Sequence, residues 1–396
     1  MEIYVRSGDS FWFYSRLFNI PLELIIQSNP TLSSSQLQIG QSVQIPGYVT
    51  QSYQIRPADS LWKIAVSHQT TVDAILRVNP GIQSANLQVG QTIVVPVRIT
   101  DLVLSDPADY TYEKMIEDIN LLLTIYPFIR RNIIGNSVLG KDLVELQIGI
   151  GNKQVHVNGS FHANEWITTP VIMRFLNQYA LSLTNNQPIR GLNMMPYFMQ
   201  TFLSAVPMVN PDGVDLVIEG ATAAGDFQND VLMINNNDPD FSDWKANIRG
   251  VDLNNQYPAN WEIEAERKPT SPAPRDFPGY APLTEPESIA IAELTGNRNF
   301  QRANALHTQG EVIFWGYQGL EPPESEIIAN EYARVSGYEP VRFVDSHAGF
   351  KDWFILVYRR PGFTIELGTG INPLPISQFN EIYEETLGIM LANLYM

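Results

Sequence analysis

Cysteine is absent from the 396-residue chain, and histidine occurs only five times. The absence of cysteine excludes disulfide bonds, thiol nucleophiles and thiolate metal ligands. A metal ion bound by this protein must therefore be held by histidine and carboxylate side chains. The five histidines are the residues to test first for that role, and they are His68, His156, His162, His307 and His347.

Positive charge is also scarce, because 25 Lys and Arg residues stand against 42 Asp and Glu residues and give a formal net charge of −17. Nucleic acids and anionic membranes attract basic patches, so neither is expected as a partner. The chain also lacks the run of about 20 apolar residues that spans a membrane. Its first residues lack the basic and apolar regions of a secretory signal. We therefore expect a cytoplasmic protein.

The N-terminal part contains an internal repeat, since residues 3–46 and 53–96 align without a gap. Each copy predicts two helices between two short strands, because Asp-Ser favours a helix start and Asn-Pro ends the second helix. The shared skeleton D-S-x-W, then N-P, then L-x-(I/V)-G-Q-x-(I/V)-x-(I/V)-P resembles the LysM module. We therefore assign residues 1–48 and 51–98 to two small βααβ LysM modules.

LysM modules bind glycans that contain N-acetylglucosamine, and the resemblance implies that these two copies do the same. It places the sugar between the loop that opens the first helix and the loop before the last strand. Trp12 and Trp62 are expected in the module cores. The implied glycan-binding residues are Gly8, Asp9, Ser10 and Phe11 in the first copy, and Ala58, Asp59, Ser60 and Leu61 in the second.

Strands and helices alternate along residues 108–396, which we assign to one further domain. Alternation of this kind predicts an α/β fold with a mostly parallel sheet covered by helices. An acidic stretch at 214–243 and a proline-rich stretch at 255–287 interrupt the alternation, and we expect loops there.

His162 and Glu165 follow an apolar strand and are separated by two residues, a spacing that brings both side chains to one side of a turn. His307 follows another strand, and parallel sheets collect their sites at the carboxyl ends of strands. Imidazole and carboxylate ligands suit Zn²⁺, and a catalytic zinc has three protein ligands and one open position. The three residues therefore predict one zinc ion per chain. His156, which lies within a strand, is expected to be structural.

Five motifs occur in the order found in the zinc carboxypeptidase family, and about residues 110–396 resemble that family. The motifs are His162-x-x-Glu165, Pro207–Gly213, Gly250–Asn254, His307 and Phe363–Leu367. The resemblance implies a mixed, mostly parallel sheet.

The same resemblance implies the roles of the site residues, with His162, Glu165 and His307 as the zinc ligands. It implies that Glu366 moves a proton from the attacking water to the leaving amine. A cation must stabilise the tetrahedral intermediate. The arginine that does so in the family corresponds to Lys245, and Arg249 is the alternative.

Departures from the family concern the substrate. The expected substrate-binding residues are Asn254, Asn255, Arg249 and Lys351. Asn255 replaces an arginine that clamps a free C-terminal carboxylate, so selection for a C-terminal residue should weaken unless another cation is recruited. Lys351 lies at the base of the leaving-residue pocket, where it would pair with an acidic side chain. Val344 replaces the flexible tyrosine of the family, and the role of His347 nearby stays open.

Glycan-binding modules ahead of a zinc carboxypeptidase-like domain resemble the peptidoglycan peptidases of sporulating bacilli. We therefore expect hydrolysis of the γ-D-glutamyl–meso-diaminopimelate bond in stem peptides, in wall or spore peptidoglycan reached after release from the cell. One alternative is a general metallocarboxypeptidase of relaxed specificity, which Asn255 disfavours. Another is a glycan-binding protein with an inactive peptidase domain, which the intact ligand set and Glu366 disfavour.

Overall fold

The structure is a computed structural model that describes residues 1–33, 37–83, 86–104 and 106–396. The chain divides into two compact units. The first comprises Met1–Val103, Asp118–Arg130 and Asn177–Met195, and the second comprises Leu104–Glu117, Arg131–Leu176 and Pro196–Met396. Two segments of the predicted third domain are thus grouped with the repeats. The described residues contain no helix that is long and apolar enough to cross a membrane.

Each repeat folds as a strand, two helices and a strand, as the sequence predicts. The serines at 10 and 60 begin the first helices by accepting a hydrogen bond from the backbone N–H three residues on. The outer strands of each copy pair antiparallel. The elements of the first copy are β1 (Glu2–Tyr4), α1 (Phe11–Phe18), α2 (Leu22–Gln27) and β2 (Ser42–Gln44); those of the second are β3 (Tyr48–Gln54), α3 (Leu61–Ser67), α4 (Val72–Val78) and β4 (Thr92–Arg98).

The two repeated tryptophans are on the surface, so the expectation that they lie in the module cores is wrong. Trp12 is 61% exposed and Trp62 is 66% exposed. The residues that fill the cores are Phe11 and Leu61, one position earlier on the same helices. Successive helical residues point about 100° apart, so the residue before each tryptophan faces the core while the indole faces solvent.

The rest of the chain contains eight more strands and ten more α-helices within the described residues. They are α5 (Tyr112–Ile125), β5 (Arg130–Asn136), β6 (Asp142–Ile148), β7 (Lys153–Asn158), α6 (Thr168–Asn185), α7 (Met195–Gln200), β8 (Thr201–Val206), α8 (Pro211–Glu219), α9 (Gln228–Ile234), α10 (Trp261–Arg267), α11 (Pro286–Asn297), β9 (Arg302–Thr308), β10 (Val312–Phe314), α12 (Glu324–Ser336), β11 (Glu339–Val341), α13 (Phe350–Tyr358), β12 (Gly362–Leu367) and α14 (Phe379–Tyr395).

These eight strands form one sheet in the order β11-β10-β12-β9-β7-β8-β6-β5. The four central strands, β12, β9, β7 and β8, are mutually parallel. Strand β10 runs antiparallel to β12, and β6 runs antiparallel to β8. The sheet is therefore mixed and mostly parallel, as predicted, and the carboxyl ends of β7, β9 and β12 meet at one edge.

Two stretches predicted as loops contain helices, and this expectation is corrected. The acidic stretch includes most of α8 and the whole of α9, and the proline-rich stretch includes α10. The acidic stretch is ordered by an apolar cluster in which Leu216, Val231 and Phe241 pack around Trp244. Apart from the buried Asp215, the acidic residues of this stretch are exposed, so the sequence is mostly polar and shows few of the apolar positions that direct the packing.

Candidate active site

Three neighbouring strands bring the predicted catalytic and metal-binding residues to one edge of the sheet. His307 lies in β9, and Glu366 is its partner in register on the adjacent parallel strand β12. His162 lies just beyond the end of β7, the neighbour of β9 on the other side. A short 3-10 turn at Ala163–Glu165 then turns the Glu165 carboxylate back toward His162.

The three predicted metal ligands converge. Glu165 Oε1 lies 2.8 Å from His162 Nδ1, and its Oε2 lies 2.9 Å from His307 Nδ1. The two Nδ1 atoms are 3.1 Å apart, and all three side chains are buried. In the described ranges this is the one group of three or more His, Asp or Glu ligands placed close enough to share an ion. Two imidazoles and one carboxylate fit a catalytic zinc site.

A buried carboxylate supports this group from behind. Asp252 Oδ1 lies 3.2 Å from His162 Nε2, which is the ring nitrogen that faces away from Glu165. Metal-binding histidines commonly donate their second N–H to such a carboxylate. Burial favours the neutral acid, but the positive charges of Lys245 and His162 hold the pKa of Asp252 well below its usual range. Asp252 is therefore an anion that orients His162 for metal binding.

Glu366 is half-buried beside the metal ligands. Burial, together with the negative charge of Glu165, raises the pKa of Glu366 to about 8. A divalent cation between the ligands would lower this pKa, because it stabilises a neighbouring anion. A carboxylate whose pKa is drawn toward neutrality suits proton transfer in both directions.

A cavity of about 200 Å³ opens onto these groups. It contains five of the predicted catalytic and substrate-binding residues as well as two of the zinc ligands. The residues that line it are His162, Lys245, Asn254, Asn255, Lys268, His307, Phe314, Val344, Ser346, Gly349, Lys351, Asp352, Thr364 and Glu366.

The structure separates the two candidate cations for the oxyanion. Lys245 Nζ lies in the cavity, 3.2 Å from Asp252 Oδ2. Burial opposes its charge, but the carboxylates of Asp252 and Glu165 raise the pKa of Lys245, so the ammonium stays charged. The Arg249 guanidinium instead lies 3.5 Å from Glu285 and lines a separate cavity. Lys245 is therefore the cation that the fold brings to the metal ligands.

Three of the four predicted substrate-binding residues, Asn254, Asn255 and Lys351, line the cavity, and each has a contact within the protein; the fourth, Arg249, lines the separate cavity. Asn254 Oδ1 accepts a hydrogen bond from the Phe350 backbone N–H at 2.9 Å. Lys351 is buried, and its ammonium lies 2.6 Å from Asp352 Oδ1. Asn255 Oδ1 accepts a hydrogen bond of 3.2 Å from Lys268. Lys268 is the cavity residue that sequence reasoning missed.

Two further histidines lie outside the cavity lining. His156 is fully buried in β7, with Nδ1 3.0 Å from Ser204 Oγ and Nε2 3.0 Å from Asn158 Nδ2. Burial lowers the pKa of His156 to about 4, which fits the structural role expected for it. His347 Nδ1 lies 3.0 Å from the Tyr317 hydroxyl.

In both modules, an aspartate side chain stabilises the predicted glycan loop through the same kind of hydrogen bonds. Asp9 Oδ2 accepts hydrogen bonds from the Arg6 backbone N–H and the Tyr14 hydroxyl, and Asp59 Oδ2 accepts the matching backbone bond and one from Tyr53. Both aspartates thus hold the loop closed. Gly8 and Ala58 are exposed, whereas the predicted Phe11 and Leu61 belong to the cores. Residues 34–36 and 84–85, in the second predicted glycan loop of each copy, lie outside the described residues.

Known proteins resemble the chain in both sequence and fold. The profile of the family described as zinc carboxypeptidase matches residues 115–388, and the LysM domain profile matches residues 3–46 and 53–96. A protein named gamma-D-glutamyl-L-diamino acid endopeptidase 1, from Lysinibacillus sphaericus, is 60% identical over 396 residues, which is 100% of each chain.

Solved structures share the fold at low sequence identity. Bovine thrombin-activatable fibrinolysis inhibitor, solved with a tick carboxypeptidase inhibitor, superposes with a TM-score of 0.55 at 18% identity and covers 72% of this chain and 95% of its own. Carboxypeptidase A from Helicoverpa armigera superposes with a TM-score of 0.53 at 19% identity, covering 74% of this chain and 75% of its own.

Proposed function

The chain belongs to the zinc carboxypeptidase family, and from that premise we propose that it hydrolyses the γ-D-glutamyl–meso-diaminopimelate bond of peptidoglycan stem peptides. The observation that carries the proposal is the convergence of three zinc-ligand side chains and Glu366 at one cavity, beside the neutral Asn255. The name of the relative from L. sphaericus specifies a bond of this kind, and that relative matches the full chain at 60% identity.

The residues of the cavity divide the chemistry between them. His162, Glu165 and His307 would hold a Zn²⁺ ion, which when bound would lower the pKa of a water and polarise the carbonyl under attack. Glu366 takes a proton from the attacking water and delivers it to the leaving amine. The Lys245 ammonium, held in the cavity wall, stabilises the negative charge that develops on the carbonyl oxygen.

The substrate follows from the neutral Asn255 and from the two LysM domains. An amide cannot form the bidentate ion pair by which an arginine selects a C-terminal carboxylate. A stem peptide differs from an ordinary peptide at this point, because its scissile carbonyl belongs to a γ-linked D-glutamate and its leaving residue is a diamino acid. Two domains that match a glycan-binding family add the second component of peptidoglycan.

We place this activity in wall or spore peptidoglycan of sporulating cells, with the protein released from the cytoplasm before it acts. The layout of two LysM domains and one peptidase domain supports this location. Immunodetection in the cytoplasmic and spore fractions of a sporulating culture tests it, and a protein that is absent from the spore fraction at every stage contradicts it.

The function is tested by comparing two substrates on purified, zinc-loaded protein. We expect rapid release of meso-diaminopimelate from L-Ala-γ-D-Glu-meso-diaminopimelate and slow cleavage of an acylated dipeptide with a free C-terminal carboxylate. Preference for the dipeptide would instead identify a general metallocarboxypeptidase. Protein that purifies without stoichiometric zinc and cleaves neither substrate would identify a glycan-binding protein with an inactive peptidase domain.

A further inference from the structure

Lys268 is a third lysine of the cavity that holds the zinc ligands and Glu366. It follows the last residue of α10, and its side chain is 22% exposed. Its ammonium lies 3.2 Å from Asn255 Oδ1 and 3.5 Å from Glu264 Oε2. The positive charge of Lys268 therefore lies beside the side-chain amide of Asn255, the position at which ordinary carboxypeptidases of the family have an arginine.

The other two lysines of the cavity are paired within the protein. Lys245 lies between two aspartates, at 3.2 Å from Asp252 and 3.3 Å from Asp276. Lys351 is buried, with its ammonium 2.6 Å from Asp352 and 2.9 Å from the Gly316 carbonyl oxygen. Each of these two ammonium groups is already compensated by a buried aspartate, Asp252 or Asp352, and breaking a buried ion pair is costly.

Lys268 differs because its carboxylate neighbour is shared. Glu264 is 2% exposed and lies 2.6 Å from the Arg267 guanidinium. It also accepts a hydrogen bond of 2.7 Å from the His347 backbone N–H. Both of these contacts are to Glu264 Oε1, whereas Lys268 faces Oε2 across 3.5 Å. This separation is longer than those between the other two lysines and their aspartates, so Lys268 is the least tightly paired of the three and the one best placed to meet a ligand.

We propose that Lys268 binds a carboxylate of the leaving diamino acid, with Asn255 as its orienting partner. The inference rests on the proposed function. Asn255 accepts a hydrogen bond from Lys268 through Oδ1. Its amide Nδ2 is a donor and can therefore bind the same carboxylate. A lysine is a point charge on a flexible stem, so it holds a carboxylate without the fixed geometry that an arginine fork imposes. That tolerance suits a leaving residue with more than one carboxylate.

Three substrates separate the carboxylates that Lys268 can bind. L-Ala-γ-D-Glu-meso-diaminopimelate has a carboxylate next to the scissile amine and another at its far end. The peptide with L-lysine in place of diaminopimelate has only the near carboxylate, and the peptide that ends in L-lysine amide has neither. We expect Lys268→Met to reduce kcat/KM by about 10- to 100-fold where the bound carboxylate is present, since hydrogen bonds between charged groups have this strength. On the amide substrate we expect a change of less than about 2-fold.

The pattern across substrates identifies the carboxylate. A loss on both acids indicates the near carboxylate, and a loss on diaminopimelate alone indicates the far one. Lys268→Arg should restore most of the lost kcat/KM. The matched control is Arg267→Met, because Arg267 contacts the same Glu264 but lies outside the cavity lining; it should leave all three rates within about 2-fold.

Two results overturn the inference, and they are distinguishable. Equal losses on all three substrates, or the same losses in Arg267→Met, would refute carboxylate binding by Lys268 while leaving the proposed function intact. A wild-type enzyme that cleaves none of the three substrates, although it binds zinc and hydrolyses an ordinary peptide, would refute the proposed function and the inference with it.

Discussion

Asp252 is the residue whose replacement tests the metal site most sharply, because it touches the site without being one of its ligands. Its Oδ1 lies 3.2 Å from His162 Nε2, and its Oδ2 lies 3.2 Å from Lys245 Nζ. Asp252→Asn keeps the shape of the side chain and removes its charge. We expect the variant to fold and to bind zinc more weakly, because His162 loses the anion that fixes its tautomer and orientation.

The expected loss in zinc affinity is about 10- to 100-fold, the range for replaced partners of metal-binding histidines. A second effect accompanies it. Burial disfavours the charged form of Lys245, and the carboxylate that contributes most to keeping it protonated is Asp252. The variant should therefore have lower kcat even when zinc saturates the site, because the oxyanion loses part of its stabilising charge.

Competition between the protein and a chelator of known zinc affinity measures the first effect, and kcat at saturating zinc measures the second. Asp276→Asn is the control, since Asp276 lies 3.3 Å from Lys245 Nζ and 40% of its side chain is exposed. This variant removes a negative charge beside Lys245 and leaves the contact between Asp252 and His162 unchanged. Unchanged zinc affinity in Asp252→Asn, or an equal loss in Asp276→Asn, would refute the role of Asp252 as the carboxylate that orients His162.

Three further predictions concern separate parts of the chain. Glu366→Gln should retain one zinc per chain by metal analysis and lose about 10²- to 10⁴-fold in kcat, the usual contribution of a general acid–base group; full turnover would contradict the assignment. In urea unfolding, Trp62→Ala should change stability by less than about 0.5 kcal/mol because the indole is exposed, whereas Leu61→Ala should cost about 2–5 kcal/mol. Burial lowers the pKa of His156 from 6.5 to about 4, so the unfolded chain binds more protons than the folded one between these pH values. Stability should therefore fall as the pH drops from 6.5 to 4. His156→Gln should weaken this dependence of Tm on pH, and an unchanged slope would contradict the prediction.

The metal site was predictable because each of its residues lies at or just beyond the carboxyl end of a strand. The carboxyl ends of parallel strands meet at one edge of such a sheet. Local spacing and topology therefore predicted His162, Glu165 and His307 together, and the family resemblance added Glu366. The short strands β10 and β11 were missed, because three residues are too few to show a periodic pattern.

The position of Lys268 in the cavity could not be predicted from the sequence, and the reason is physical. It lies in a proline-rich stretch interpreted as a loop, and its position depends on α10, whose seven residues give a weak helical pattern. Its approach to Asn255 is a tertiary contact between residues 13 apart, fixed by the packing of the stretch and by no local motif. The exposed Trp62 illustrates the opposite error, since a repeated large apolar residue was interpreted as core although only the register of α3 decides which way it faces.

The ion pair that Lys351 forms in the cavity wall changes the role inferred for this residue from its motif. From the sequence it was expected to bind an acidic group of the substrate, but its ammonium lies 2.6 Å from the buried Asp352. Removing one partner of a buried pair leaves the other charge uncompensated, at a cost of about 3–5 kcal/mol. We therefore expect Lys351→Met to lower the free energy of unfolding by that amount in urea titrations.

The double variant Lys351→Met, Asp352→Asn separates internal pairing from substrate binding, because it removes both charges. We expect it to recover most of the stability lost in the single variant. If Lys351→Met is instead as stable as the wild type and raises KM only for substrates with the far carboxylate, then the ammonium binds substrate and the pair with Asp352 opens during binding. If Lys351 is paired in this way, Lys268, whose ion pair with Glu264 is the longest of the three at 3.5 Å, is the lysine of the cavity wall best placed to select a carboxylate.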